Sequence, residues 1–345
     1  MKILKDFDVK NKRVLVRCDF NVPLDDKGNI LDDFRIKETI PTIEYLVRQG
    51  AKIILMSHLG RPKGRIVEEL RLTSVQDKLR EYLNLSVAKA QDCVGKEIEE
   101  WTHRMREEEV LLLENLRFHE EEERNEENFA QALSKLGDFY INDAFGASHR
   151  SHASIVGVPK FLPSAAGFLL EREVKTLSNL MENPEKPLVA IIGGAKAEKK
   201  TSLINSISKV ADFVLIGGLI QKEARDKNIQ FEQPGKIIEP VDNIEEKDIG
   251  PETMKIFKEK IFQAKTVFWN GPVGHIEERE FTKGSETLAR TIVESGAFSV
   301  AGGGETVEFI NQLGLGDKFG HLSTGGGAML EFLSGNVLPG LQALE

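Results

Sequence analysis

Arg35, His58, Arg61, Lys63, Arg117, His149, Arg150 and His152 fall in the first half of the chain, behind apolar runs of strand length. Guanidinium and imidazole groups gathered in this way hold compact anions through charge-assisted, often bidentate hydrogen bonds. The second half instead carries five Gly-rich turns behind such runs: Gly193-Gly194, Gly217-Gly218, Asn270-Gly271-Pro272, Gly302-Gly303-Gly304 and Gly325-Gly326-Gly327. Backbone amides exposed at helix starts bind polyphosphates. Lys196, Lys199 and Lys200 cluster at one of these starts, where cations oppose the helix dipole. Charge placed at that cost implies an anion to neutralise it. The two halves together predict a machine that brings two phosphorylated ligands together.

Blander readings of the same residues are weaker. A scatter of salt bridges among 55 acidic side chains does not require one strand after another to be followed by a cation, and exposed pairs contribute only about 0–1 kcal/mol. GGAKAEKKT is not a P-loop, because no Lys-Ser/Thr pair follows a second glycine at the required spacing. No strand–GxGxxG–helix fingerprint occurs, so dinucleotide binding is not expected. His103, His119 and His275 read as solvent-facing, and Glu120–Glu123 as a solvated helix start. Cys18, at a strand end, and Cys93, in a loop, fit no metal-ligand spacing and no disulfide framework, and read as packing thiols.

The chain is 40% apolar with a net charge of −9. That balance excludes nucleic acid and anionic membrane as partners, since both demand a basic face. The opening MKILKDFDVKNKR lacks the apolar centre of a signal peptide, and no stretch has bilayer length. A cytoplasmic protein is expected.

The elements that must position these residues alternate. RVLVR (13–17), KIILM (52–56), VLLL (110–113) and FYIN (139–142) are strand-like, with helical spacing at Ile36, Ile40, Ile43 and Val47 and at Phe129, Leu133 and Leu136. LVAII (188–192), FVLI (213–216), TVFW (266–269), FSVA (298–301) and HLS (321–323) repeat the alternation. Between the two series, Leu170, Val174, Leu177 and Met181 share one face of a helix that ends before Asn183-Pro184. The expected fold is α/β: two doubly wound, Rossmann-like parallel-sheet domains, 1–167 and 185–335, joined by a helix over 168–184. Ligands in such sheets bind beyond the carboxyl ends of the strands. Asp19 and Asn21, His58 and Arg61, Arg117, and His149 and Arg150 all follow strands and should converge on one sheet edge.

RVLVRCDFNVPL, DDFRI, SHLGRPKG, LLLENLRFH, INDAFGASHRSHAS, IIGGAK, FWNGPVG, AGGGET and HLSTGGGAMLEFLSGNVLPG resemble the phosphoglycerate kinase family, in that family's order and over nearly the whole chain. The resemblance implies a monomeric, hinge-bending enzyme that moves a phosphoryl group between 1,3-bisphosphoglycerate and ADP, with Mg2+, giving 3-phosphoglycerate and ATP. It implies that Asp19, Phe20, Asn21, Arg35, His58, Leu59, Gly60, Arg61, Arg117 and Arg150 hold the glycerate ligand. It implies that Lys196, Lys200, Gly217, Gly218, Asn270, Glu277, Gly303, Gly304, Glu305 and Thr306 hold the nucleotide, with Glu305 on the metal. Arg35, Lys196, Lys200, Gly303 and Gly326 would face the transferring group. Leu338–Leu344 matches a tail, residues 336–345, that returns to the N-terminal domain.

The departures from the family lie on the nucleotide side. The chain is short between Gly218 and Gly250, Leu219 replaces a third glycine, and much of the adenine wall is expected to be missing. Lys199 stands where the family has aspartate, and Glu305 where it has the aspartate of GGGDT. Two further readings follow from these changes: a binding protein for a phosphorylated acid that transfers nothing, and a kinase with another phosphoryl donor.

Overall fold

Runs rich in Val, Ile and Leu suit strands covered on both faces, and here they form two parallel sheets with helices on either side. The computed structural model describes residues 1–345 and divides into two units, Met1–Val174 with Val337–Glu345, and Lys175–Asn336.

The first unit runs β1 (Arg13–Arg17), α1 (Phe34–Arg48), β2 (Lys52–Met56), α2 (Thr73–Leu83), β3 (Val87–Lys89), α3 (Lys96–Arg104), β4 (Val110–Leu112), α4 (Glu120–Arg124), α5 (Glu127–Ser134), β5 (Phe139–Asn142) and β6 (Ser164–Ala166). Its six strands lie in the order β3-β4-β2-β1-β5-β6, all parallel, with Val14 opposite both Ile53 and Phe139. Ile36, Ile40, Ile43 and Leu46 form the buried stripe of α1 against Val14, Val16, Ile53 and Leu55. The strand order reverses at β1, between β2 and β5, and that is where a crevice opens in a doubly wound sheet. The helix α6 (Phe168–Glu182) follows, and the division between the units falls inside it.

The second unit continues with β7 (Leu188–Ile192), α7 (Ala197–Val210), β8 (Phe213–Ile216), α8 (Gly218–Asp226), β9 (Ile237–Ile238), β10 (Asn243–Ile244), β11 (Asp248–Ile249), α9 (Pro251–Gln263), β12 (Thr266–Asn270), α10 (Lys283–Ser295), β13 (Phe298–Gly302), α11 (Gly304–Gln312), β14 (His321–Ser323) and α12 (Gly327–Leu333). Six parallel strands take the order β14-β13-β12-β7-β8-β9, and β10 and β11 form a separate antiparallel pair. Every residue of β7 and of β12 is buried, as central strands require. The reversal falls at β7, between β8 and β12. A last short helix, α13 (Pro339–Gln342), returns to the first unit, where the Gly340 N–H donates to the Ser148 carbonyl at 2.8 Å.

All nine strands read from the sequence are present, within a residue at their ends. β3, β6 and β9–β11 were not expected; at two or three residues they are too short to show a period. No helix is long and apolar enough to cross a membrane. Cys18 and Cys93 are both buried and unbridged, and burial pushes both thiols well up.

Candidate active site

In the first unit, polar side chains meet just past the carboxyl ends of β1, β2 and β4. Arg35, in the first turn of α1, donates to the Asn21 carbonyl at 2.8 Å and stands 3.5 Å from the Asp19 carboxylate. Asn21 in turn accepts from the Gly60 N–H on its Oδ1, at 2.8 Å. Arg117 donates to the Gly60 carbonyl at 2.9 Å and lies 3.3 Å from Glu123. Phe20 is pinned by its N–H to Ser57 Oγ, and Leu59 by both of its backbone groups to the Asn115 amide. Asp19, Phe20, Asn21, Arg35, His58, Leu59, Gly60 and Arg117 therefore form one bonded patch. Arg61 and Arg150 stand exposed at its margins.

A buried network lies behind the patch. Arg17 is fully buried, donates to Ser154 Oγ at 2.7 Å and to the Cys18 carbonyl, and reaches His58 Nδ1 at 3.3 Å. Arginine has donors only, so His58 Nδ1 accepts and the ring proton sits on Nε2. Glu122, also fully buried, accepts from the Ser154 N–H and hydroxyl at 2.9 and 2.6 Å. Its carboxylate is 4.0 Å from Arg17 and 3.8 Å from His152. Glu120–Glu123 is thus not the solvated helix start that the charge run suggests: position 122 faces inward because Arg17 and Ser154 are there to meet it.

Burial and the surrounding guanidiniums keep both histidines of this cluster neutral. Burial, then Arg17, Arg117 and Arg35, holds His58 well below the usual histidine value. Burial with the charge of Arg117 pushes His152 down to about 3. Burial also lowers Arg117, against the opposing field of Glu123. The imidazoles therefore add hydrogen bonds but no charge, and the arginines supply the positive potential. An anion entering this patch relieves the mutual repulsion of Arg17, Arg117 and Arg35.

In the second unit the site is made of backbone. At the strand-order reversal, the Gly193 N–H donates to the Asn270 carbonyl at 2.9 Å and the Gly194 N–H to the Pro272 carbonyl at 2.6 Å. A Cβ on Gly193 would overlap the Pro272 carbonyl, so only glycine lets the two turns approach this closely. Thr306 Oγ1 accepts from the Gly271 N–H at 2.8 Å, and Asn270 Nδ2 donates to the Gly302 carbonyl at 2.8 Å. Asn270 Oδ1 is buried with no protein partner. Gly303, at φ +102°, is the residue before α11 and has no side chain to cap the helix's first amides. Gly217 packs against Gly193 and Val273, and Gly326 opens α12.

Lys200 folds back from α7 to donate to the Gly193 carbonyl. Burial pushes it down from 10.5 to about 8, against the field of Glu305. Lys196 is the residue before α7 and adopts a left-handed φ of +67°. The anion at this helix start is one that the chain itself supplies: Glu223, on α8, accepts from the Lys196 and Ala197 N–H groups at 3.0 and 2.9 Å. These bonds hold the Glu223 carboxyl below its ordinary value. Lys199, Glu305 and Glu277 are exposed, and Glu277 stands in the turn after β12, apart from the bonded set.

The stretch whose shortness leads to the expectation of a missing adenine wall borders a cleft. Gly218, Leu219, Lys222 and Arg225 of α8, residues 240–243 and 246–249, and Val273 line a cleft of about 580 Å3, within the ordinary range for small-molecule sites. The shortened stretch forms α8, β9 and the β10–β11 pair, and residues of α8 and of the β10–β11 segment line this cleft.

Sequence reasoning missed Arg17, Asn115, Glu122, Ser154 and Glu223. Arg17 had a usable signal, since a charge at the end of a central-strand run is out of place. Glu122 and Glu223 had none, because both sit in helices among other charges. His119 was expected to face solvent, but its Nε2 lies 2.6 Å from Asp92 and the side chain is only 25% exposed.

The family model described as phosphoglycerate kinase matches residues 4–234 and 221–336, two stretches that meet at α8 and the segment behind it. A phosphoglycerate kinase of Coprothermobacter proteolyticus is 42% identical over 387 positions, covering 100% of this chain and 98% of that protein. One of Moorella thermoacetica is 43% identical over 386 positions, covering 99% and 98%. Both alignments are longer than the 345 residues here, so the relatives carry segments that this chain lacks. Among solved structures, phosphoglycerate kinase from Pyrococcus horikoshii OT3 superposes with a TM-score of 0.88 at 32% identity, covering 100% of this chain and 98% of that one. That from Coxiella burnetii gives 0.81 at 31%, covering 99% and 98%.

Proposed function

The chain belongs to the phosphoglycerate kinase family, and on that premise we propose which of its residues carry the reaction. The enzyme moves a phosphoryl group between 1,3-bisphosphoglycerate and ADP. A β-phosphate oxygen of ADP attacks the phosphorus, the bond to the C1 carboxyl oxygen breaks, and 3-phosphoglycerate leaves as a carboxylate. Such a transfer needs in-line positioning and neutralisation of spreading charge more than covalent help.

The observation that carries the assignment is the bonded patch Asp19–Asn21–Arg35–His58–Gly60–Arg117. Its arginines bind the 3-phosphate and carboxylate of the glycerate ligand, with Arg61 and Arg150 closing on it from the margins. Phe20, Leu59 and Gly60 contribute backbone shape. Arg35 and Lys200 neutralise the moving group. Lys200 suits that role because a half-desolvated ammonium exerts its field at low local dielectric. Gly303, Gly304, Thr306 and Gly326 present helix-start amides to the nucleotide phosphates, with Lys196 alongside. Asn270, whose buried Oδ1 lacks a partner, meets the nucleotide by the same face. The base enters the cleft behind Gly217 and Gly218, and Glu277 reaches the ribose.

Mg2+ fits Glu305, an exposed carboxylate in the first turn of α11, since that ion is commonly held by one or two carboxylates plus substrate phosphates. When bound it supplies charge neutralisation on the phosphate oxygens. We further place the enzyme in the cytoplasm, where glycolytic intermediates circulate, and as a monomer. Light scattering on an eluting peak tests the latter.

A coupled assay with MgATP and 3-phosphoglycerate, run beside calorimetric titration of each ligand, tests the whole reading. Turnover with both ligands binding supports it. Binding of 3-phosphoglycerate with neither nucleotide binding nor turnover overturns it in favour of a sensor. Turnover only with another donor overturns the nucleotide half alone.

A further inference from the structure

The loop behind β3 and the start of α4 bring three different donor groups together. Asp92 offers a carboxylate oxygen, Cys93 a sulfur and His119 an imidazole nitrogen, all within 4.8 Å of one another. We propose that this trio binds a divalent transition-metal ion of the zinc type, separately from the phosphoryl-transfer site. Sulfur and imidazole select zinc-like ions, whereas Mg2+ takes oxygen, so the reaction's own metal does not compete here.

The geometry is close to what such an ion needs. Bonds of about 2.0–2.3 Å in a tetrahedral site place ligand atoms roughly 3.3–3.8 Å apart. His119 Nε2 and Asp92 Oδ1 stand 2.6 Å apart and must open by about an ångström. Asp92 can yield, since its side chain is 53% exposed, and the same exposure gives the ion a way in. Cys93 is fixed and buried below it, with its own N–H donating to Asp92 Oδ1 at 2.7 Å. The surrounding field is negative: Glu121 acts on His119, and Glu122 on Cys93. Binding puts the metal in place of the Cys93 thiol proton, which goes to solvent, and of the His119 Nε2 proton, which passes to Nδ1 or to solvent, and the ion supplies the counter-charge that a buried thiolate otherwise lacks. Three protein ligands leave the fourth position to water.

No sequence spacing announces the site, because Cys93 and His119 are joined only by the packing of the β3 loop onto α4. An ion here ties that loop to the helix that carries Glu122 and Glu123.

Co2+ is the probe, added to the full chain after chelator treatment. The expected result is one Co2+ per chain with a sulfur-to-cobalt charge-transfer band, displaced by Zn2+ and untouched by MgATP with 3-phosphoglycerate. Cys93→Ser removes the band and Cys18→Ser keeps it. His119→Ala and Asp92→Asn each weaken binding by about tenfold or more, with melting curves checking that both fold. These two variants carry the test if Cys93→Ser does not fold. A missing band at saturating cobalt overturns the proposal, and so does a band lost with Cys18→Ser. Equally, it is overturned if both His119→Ala and Asp92→Asn bind as the unaltered chain does, or if the substrates displace the ion.

Discussion

The two units solve the same problem with different materials. The first gathers a patch of side chains backed by a buried side-chain relay: Glu122 holds Ser154, Ser154 holds Arg17, and Arg17 holds His58. The second is assembled from glycine turns whose amides and carbonyls bond to one another, with Lys200 as its half-buried cation. A backbone site does not depend on which side chains surround it, whereas a side-chain network fails when any member changes. The departures that the resemblance leads one to expect, the short stretch between Gly218 and Gly250, Lys199 and Glu305, all lie in the unit whose site is backbone.

The largest effects should appear where each site depends on one cation. Arg35→Ala and Lys200→Ala are each expected to lower kcat by about 10²–10³, with unchanged melting curves. Near-normal turnover in either variant would break the symmetry between the two units. Next comes the contrast in support. Glu122→Ala leaves Arg17 buried without its counter-charge and should cost about 3–5 kcal/mol. Glu223→Ala removes only a carboxylate from a helix start, and should cost about 1 kcal/mol or less. Chemical denaturation of the two variants side by side measures that ratio, and equal losses would refute the comparison.

Lys200 sets a pH signature. Its folded value, near 8, lies below the ordinary 10.5. The folded state therefore binds fewer protons than the unfolded chain between those values, and stability contributed by this group rises with pH across that window. It is lost again as pH falls through about 8. Activity runs the other way: kcat/KM should fall above about pH 8 as the ammonium deprotonates. Lys200→Arg, which stays charged, should flatten both profiles. A fall in kcat/KM that persists in Lys200→Arg assigns it elsewhere. The smallest effects belong to exposed positions: Lys199→Asp and Glu305→Asp should each change kcat/KM by about tenfold or less. A larger response at Lys199 would mean that its side chain reaches the nucleotide phosphates.

The parallel α/β alternation and nine of the strands were legible because apolar, β-branched runs, most of them four or five residues long, cannot be mistaken for solvated surface. The two-residue β9, β10 and β11 carry no such pattern, so the cleft that residues 218–249 border was invisible. The convergence of Asp19, Asn21, His58 and Arg117 was legible from their place after strands. What holds them was not: EEEER reads the same whether its third glutamate faces water or a buried arginine. His119 escaped for a related reason, since its partner Asp92 is 27 residues away and only the packing of a loop joins them.

The return of α13 to the first unit has a consequence for synthesis. Gly340 sits against Ser148 and Ile155 so closely that a Cβ there would press on both, so the first unit keeps an open seam until residues 337–345 arrive. Residues 175–336, all of the second unit, are made in between. At ribosomal rates this interval is roughly ten to thirty seconds. The nascent first unit must hold its fold for that time with one seat vacant, while the second forms entirely behind it.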